Sequence, residues 1–200
     1  VCAQNDEGDF RLADCGSTSF VPSISPTSTY AIQASGLAGR SFVFEDVSQN
    51  LFPDIRTLDL GPDGLPGGGD DAEPVTLDGD GHCLGVASNA VVYGGTRVSS
   101  RRPLVYRGFG GDGVLGIGDA AVTLSSAASV VGTNPCRLAF DGRYILFNDD
   151  RLSAPGLYLY DLGADRAPGG GDPGEARLSV QSAESYALLG GDIFYQQNGV

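Results

Sequence analysis

One loop sequence occurs three times in this chain, and its spacing restricts the folds open to the chain. The copies are Asp59-Leu-Gly-Pro-Asp63-Gly-Leu-Pro-Gly-Gly-Gly-Asp70-Asp71, Gly108-Phe-Gly-Gly-Asp112-Gly-Val-Leu-Gly-Ile-Gly-Asp119 and Asp161-Leu-Gly-Ala-Asp165-Arg-Ala-Pro-Gly-Gly-Gly-Asp172. Stretches this rich in Gly, Pro and Asp are neither helix nor inner strand. Each copy holds two aspartates seven apart, at 63 and 70, 112 and 119, 165 and 172. From copy to copy the first of the pair advances by 49 residues and then by 53. A fixed loop at a period of about 50 residues signals a repeat architecture, with one supersecondary unit per repeat.

The apolar runs repeat independently of the loops. Ser41-Phe-Val-Phe44, Ala90-Val-Val-Tyr93, Tyr144-Ile-Leu-Phe147 and Asp192-Ile-Phe-Tyr195 read as equivalent strands. Three follow a Gly suited to a tight turn (Gly39, Gly142, Gly191), and the second follows Ser88-Asn89, where Asn also tolerates a left-handed turn. An alternating strand comes next: Asp54-Ile-Arg-Thr-Leu-Asp59, its divergent copy Pro103-Leu-Val-Tyr-Arg-Gly108, and Gly156-Leu-Tyr-Leu-Tyr-Asp161. After the Gly/Asp loop an outer strand is expected at 74–77, 121–124 and 175–178. Before each Gly turn an inner strand is expected at 31–34, 83–86, 136–139 and 186–189. No window sustains a helical period. The chain divides into a partial unit over 1–30, units over about 31–81, 82–132 and 133–182, and a partial unit over 183–200. The expected fold is all-β: a β-propeller, or part of one, with four-stranded antiparallel blades of about 50 residues. Val1-Cys-Ala-Gln-Asn5 aligns with Ile193-Phe-Tyr-Gln-Gln197, so both ends fall in the same strand of the repeat. That leaves a four-bladed ring or a window from a larger propeller.

Phe140-Asp-Gly-Arg-Tyr-Ile-Leu-Phe147, followed by Leu157-Tyr-Leu-Tyr-Asp-Leu-Gly163, resembles the blade motif of the TolB-type, WD-repeat-like β-propellers. The first unit keeps Gly39-Arg40 and its Phe run without an Asp before the Gly, and the second unit lacks the Gly-Arg pair. The resemblance implies a bacterial, exported repeat protein engaged in protein–protein contacts. A propeller also implies, by fold analogy alone, a rigid disc that presents loops for binding.

Composition narrows the function classes. Net charge is −13, with a pI near 4.2 and Arg as the sole cationic side chain besides the single His. Such a surface repels nucleic-acid phosphates and anionic lipid headgroups. No apolar run approaches the roughly 20 residues of a membrane-spanning helix. The start at Val1, without a leader, fits a processed mature form or a fragment. An even count of four cysteines leans toward an oxidising, extracytoplasmic compartment, whether periplasm, cell surface or medium.

The Gly/Asp loops are the candidate site. Asp59, Asp63, Asp70 and Asp71, then Asp112 and Asp119, then Asp161, Asp165 and Asp172 supply hard oxygen ligands, and the glycines let carbonyls turn inward, as Ca²⁺ requires. The first loop is the most complete, and Gly108 leaves the second with fewest carboxylates. The spacing is not that of an EF-hand, and Asx turns alone are the other account of these aspartates. Asp78-Gly-Asp80-Gly-His82 is a second acidic turn, and His82 is expected at the surface or in a loop. One His and no G-x-S-x-G elbow argue against triad chemistry. Cys83 and Cys136 open equivalent inner strands and could bridge, with two buried thiols the alternative; Cys2 and Cys15 would need a register shift to pair. Arg101-Arg102 reads as a solvated basic loop. No catalytic residue is assigned. A non-catalytic binding or scaffold module is expected. The alternatives are a carbohydrate-active propeller enzyme (a glycosidase or lyase), which would need carboxylates converging at the axis, and a structural subunit of a surface assembly.

Overall fold

The computed structural model describes residues 3–4, 10–11, 32–47, 53–62, 64, 73–110, 112–130, 138–151, 153–169, 173–179, 183, 185–189 and 191–196. Every regular element among them is a strand: β1 Ala3–Gln4, β2 Phe10–Arg11, β3 Ile32–Ala38, β4 Ser41–Asp46, β5 Asp54–Asp59, β6 Val75–Asp78, β7 His82–Ala87, β8 Ala90–Gly94, β9 Leu104–Gly108, β10 Ala121–Ser125, β11 Leu138–Phe140, β12 Tyr144–Asp149, β13 Gly156–Asp161, β14 Gly174–Ser179, β15 Ser185–Leu189 and β16 Asp192–Gln196. No helix is long and apolar enough to cross a membrane among the described residues.

The strands form antiparallel meanders in chain order. β3-β4-β5-β6, β7-β8-β9-β10 and β11-β12-β13-β14 are four-stranded sheets, while β1-β2 and β15-β16 are pairs. The three large sheets pair alike. Ser41 faces Asp59, Ala90 faces Gly108 and Tyr144 faces Asp161 across the second and third strands of the three large sheets. Each outer strand meets its neighbour through a register shift at the same level, beside Ile55/Arg56, Thr123/Ser125 and Leu157/Tyr158. Irregularities of this kind twist an edge strand and discourage pairing with another chain.

Antiparallel pairing sorts the connections onto two rims. One rim carries the tight turns at 39–40, 88–89 and 141–143 together with the Gly/Asp loops. The other carries the loops after β4, β8 and β12 and the start of β7. The first strands pack in sequence, β3 on β7, β7 on β11 and β11 on β15.

Stacking sheets face to face buries both sides of their middle strands. Side chains alternate along a strand, so Val91 and Tyr93 of β8 join Val43 and Ile55 in the core between the first and second sheets. Ala90 and Val92 point the other way and pack with Ile145, Phe147 and Tyr158. Leu146 then faces Leu188 and Ile193 of the last pair. This is why the second strands read as unbroken apolar runs rather than as an alternation. Their burial is complete over Ser41–Asp46 and Ala90–Gly94.

Close approach of the first strands requires small residues at one position. A β-carbon on Gly36 would lie 2.7 Å from Val86 Cβ and 2.8 Å from its Cγ2. On Gly85 it would collide with Leu138 and stand 3.1 Å from Phe140 Cβ. Register makes Gly36 and Gly85 equivalent to Ala139 and Ala187. Gly36→Ala is therefore expected to cost about 1–3 kcal/mol by overpacking against a β-branched side chain that cannot swing aside. A denaturation midpoint equal to that of the parent would contradict this packing.

Candidate functional site

Three consecutive residues from each first strand line a cavity of about 400 Å³: Ser35–Leu37, Leu84–Val86, Leu138–Phe140 and Tyr186–Leu188. These triplets occupy the same register positions in their sheets. Among the described residues of the wall, the polar side chains are those of Ser35 and Tyr186, and none is a carboxylate, imidazole or thiol. A surface of this chemistry binds by apolar burial and by backbone hydrogen bonds.

The Gly/Asp loops lie on the rim nearer this cavity, and the structure gives their aspartates several different partners. Asp59 accepts from Arg40 Nε at 2.8 Å and Nη2 at 3.0 Å, a two-point ion pair. Asp161 accepts from Arg143 with the same atoms at the same distances. Each aspartate also caps a backbone N–H two residues on, from Gly61 and Gly163, and the intervening Leu60 and Leu162 are buried. The Arg143 hydrogen bond holds the Asp161 carboxyl below its ordinary value, against a smaller opposing effect of burial. Asp59 and Asp161, expected among the cation ligands, are thus engaged by guanidinium groups. The middle sheet has Asn89 and Gly108 at these two positions and lacks the clasp.

Asp165 makes an Asx-type bond to the Ala167 N–H at 3.3 Å. In the middle loop Asp112 accepts from the Val114 N–H at 3.0 Å and Asp119 from the Gly116 N–H at 2.7 Å. These two do come together. A β-carbon on Gly110 would stand 2.5 Å from Asp119 Oδ1 and 3.6 Å from Asp112 Oδ1, so both carboxylates flank one point. Asp63, Asp70, Asp71 and Asp172 lie outside the described residues. Among the described residues no three His, Cys, Asp or Glu side chains gather at one point.

One sequence expectation changes on the opposite rim. His82 is half-buried in a strand rather than placed at the surface or in a loop: it opens β7, and its Nδ1 contacts Glu45 Oε1. Glu45 sits at the end of fully buried β4, and its Oε2 has no hydrogen-bond partner among the described residues. The contact joins the first sheet to the second, because β4 packs against β7. Three acidic side chains are also buried, those of Asp46, Asp54 and Asp149. Arg56 bridges Asp46 (3.0 Å) and Asp54 (3.1 Å), and Arg151 pairs with both Asp149 and Glu175. Asp46 and Asp149 share one register position, the last residue of the second strand.

Cys83, beside His82, is buried and disulfide-bonded. Its partner lies outside the described residues, as do Cys2, Cys15 and Cys136. The β1-β2 register sets Ala3 opposite Arg11.

The clasp was detectable in the sequence. Arg40 accompanies Asp59 and Arg143 accompanies Asp161, while the middle copy loses both members together. The Glu45–His82 contact left no comparable trace, since it crosses between sheets at a single place. In comparisons with family models, curated proteins and solved structures, the chain matches none.

Proposed function

We propose that the chain is a non-catalytic, extracytoplasmic β-propeller, or part of one, that serves as a binding scaffold with Gly/Asp loops that take Ca²⁺. The observation that carries this reading is the stepwise packing of β3, β7, β11 and β15, each the first strand of its sheet. Sheets stacked through their first strands around a shared apolar wall are what radial repetition produces. The blade-like motif of the third unit supports the same reading, and with it contacts between proteins. The disulfide at Cys83 supports an oxidising compartment. For Ca²⁺, the supporting geometry is the convergence of Asp112 and Asp119 in the loop that lacks the Arg clasp. In the first loop Asp59 is paired with Arg40, while Asp63, Asp70 and Asp71 lie outside the described residues, so the middle loop is the one put to the test.

The test is a thermal melt in EGTA and in added Ca²⁺, run beside a turnover screen on glycoside, ester and peptide substrates. Ca²⁺ should raise the melting temperature of the parent and not of Asp119→Asn, and no substrate should turn over. A melting temperature indifferent to both additions removes the Ca²⁺ reading. Turnover abolished by a single carboxylate substitution removes the scaffold reading.

A further inference from the structure

The loop between β8 and β9, residues 95–103, is built differently from a solvated connection. Val98 and Arg101 exchange two backbone hydrogen bonds, at 2.8 and 3.0 Å, around a two-residue turn. Both turn residues hold left-handed backbone, Ser99 at φ 50° and Ser100 at φ 74°. Two-residue turns of this hand favour Asn and Gly, so two serines hold an unfavourable conformation here. Strain of this kind persists only where the surroundings impose it.

The surroundings that impose it are the acidic turn Asp78-Gly-Asp80-Gly. Asp78 accepts from Thr96 Oγ1 at 2.6 Å and from the Thr96 N–H at 3.2 Å. Asp80 accepts from the Arg97 N–H at 3.2 Å on one arm of the hairpin and from Arg102 Nη2 at 2.7 Å on the other. Arg102 also donates to the Asp80 carbonyl, and Gly95 N–H donates to Pro103 O at 2.8 Å. Burial opposes ionisation of Asp80, but Arg102 and the Arg97 N–H hold its carboxyl below the ordinary value. The two aspartates therefore buckle the base of the hairpin, and the tandem arginines divide in role. Arg102 is buried in the buckle, whereas Arg101 stands exposed at the tip beside Val98, which is 64% exposed. Among the described residues no carboxylate pairs with Arg101, although Arg40, Arg56, Arg102, Arg143 and Arg151 all have carboxylate partners.

A rigid hairpin thus presents an uncompensated guanidinium and an exposed apolar side chain on a chain of net charge −13. Screening over about 8 Å at physiological salt lets the tip act locally despite the acidic body. A guanidinium favours the planar, two-point geometry of a carboxylate, and the adjacent Val98 favours a surface with apolar contact area over a sugar or phosphate chain. The geometry points to the 95–103 hairpin as a docking finger for an acidic protein surface, with Arg101 pairing a carboxylate and Val98 packing beside it. This deepens the scaffold reading and rests on it.

The probe is a fluorescent peptide of alternating Glu and Leu, titrated by anisotropy against the whole chain, with a Lys/Leu peptide and a heparin fragment as controls. The Glu/Leu peptide should bind, and Arg101→Glu should weaken it about tenfold or more, the scale of one charge-assisted contact. Val98→Asn should weaken it several-fold, and neither substitution should move the melting curve, since both side chains are exposed. The double variant S99N/S100G keeps the turn and should keep the affinity while melting higher. Equal binding by Arg101→Glu, preference for heparin, or self-association of the chain that Arg101→Glu abolishes would each overturn the proposal. Failure here leaves the scaffold reading standing, whereas enzymatic turnover would remove that reading without touching this binding.

Discussion

His82→Ala should destabilise the fold by about 3 kcal/mol, the upper end of what it costs to leave a buried polar group without its hydrogen-bond partner. Glu45 has no exposed surface. With His82 gone, its carboxylate would face the inter-sheet core without the Nδ1 contact, and Oε2 already has no partner among the described residues. For a domain of this size the loss corresponds to a fall of roughly 10 °C in melting temperature. Replacing both members, Glu45→Leu with His82→Leu, should recover most of that loss, because two apolar side chains of suitable volume need no mutual neutralisation. A His82→Ala variant that melts with the parent, or a double variant no better than the single, would show that the contact carries no weight between the sheets.

The contrast between this pair and the strands shows where sequence reading succeeds. Second strands such as Ala90–Gly94 were recognisable because burial on both faces forces unbroken apolar runs, and a period near 50 residues fixes their order. The register followed from the turns: Gly39, Gly142 and Gly191 all hold positive φ, as tight turns require. The same patterns say nothing about which side chains meet across neighbouring sheets. Glu45 follows Phe44 at the end of an apolar run and carries no mark of burial. His82 follows Asp-Gly-Asp-Gly and reads as part of a polar turn. Their contact depends on β4 lying against β7, a relation that no periodicity within either strand encodes. The Gly/Asp loops carry two patterns at once. Asp59 and Asp161 recur together with Arg40 and Arg143, which pair with them, separately from the aspartates spaced seven apart. Asp78 and Asp80, read as an acidic turn, also lock the base of a hairpin some 20 residues further along the chain.

Reducing the disulfide at Cys83 should cost about 2–5 kcal/mol, the usual loss when a native bridge is removed. Cys83 is 1% exposed and packs in the core shared by the second and third sheets. It lies where the β7-β8 register slips between His82 and Gly85, and its φ of 65° is left-handed. A bulge with left-handed backbone is a place for glycine, so a cysteine here bears strain of about 1 kcal/mol or more. Two substitutions separate these effects. Cys83→Ser removes the bridge and keeps the strain, whereas Cys83→Gly removes both at the expense of some side-chain packing. Melting should fall for each in non-reducing buffer, and less for Cys83→Gly. Dithiothreitol should lower the melting temperature of the parent toward that of Cys83→Ser. Peptide mapping without reduction should link the Cys83 peptide to that of Cys136, 53 residues further along the chain. A link to Cys2 or Cys15 would instead tie the second sheet to the amino-terminal pair, and would reassign the bridge from neighbouring first strands to the chain's first unit.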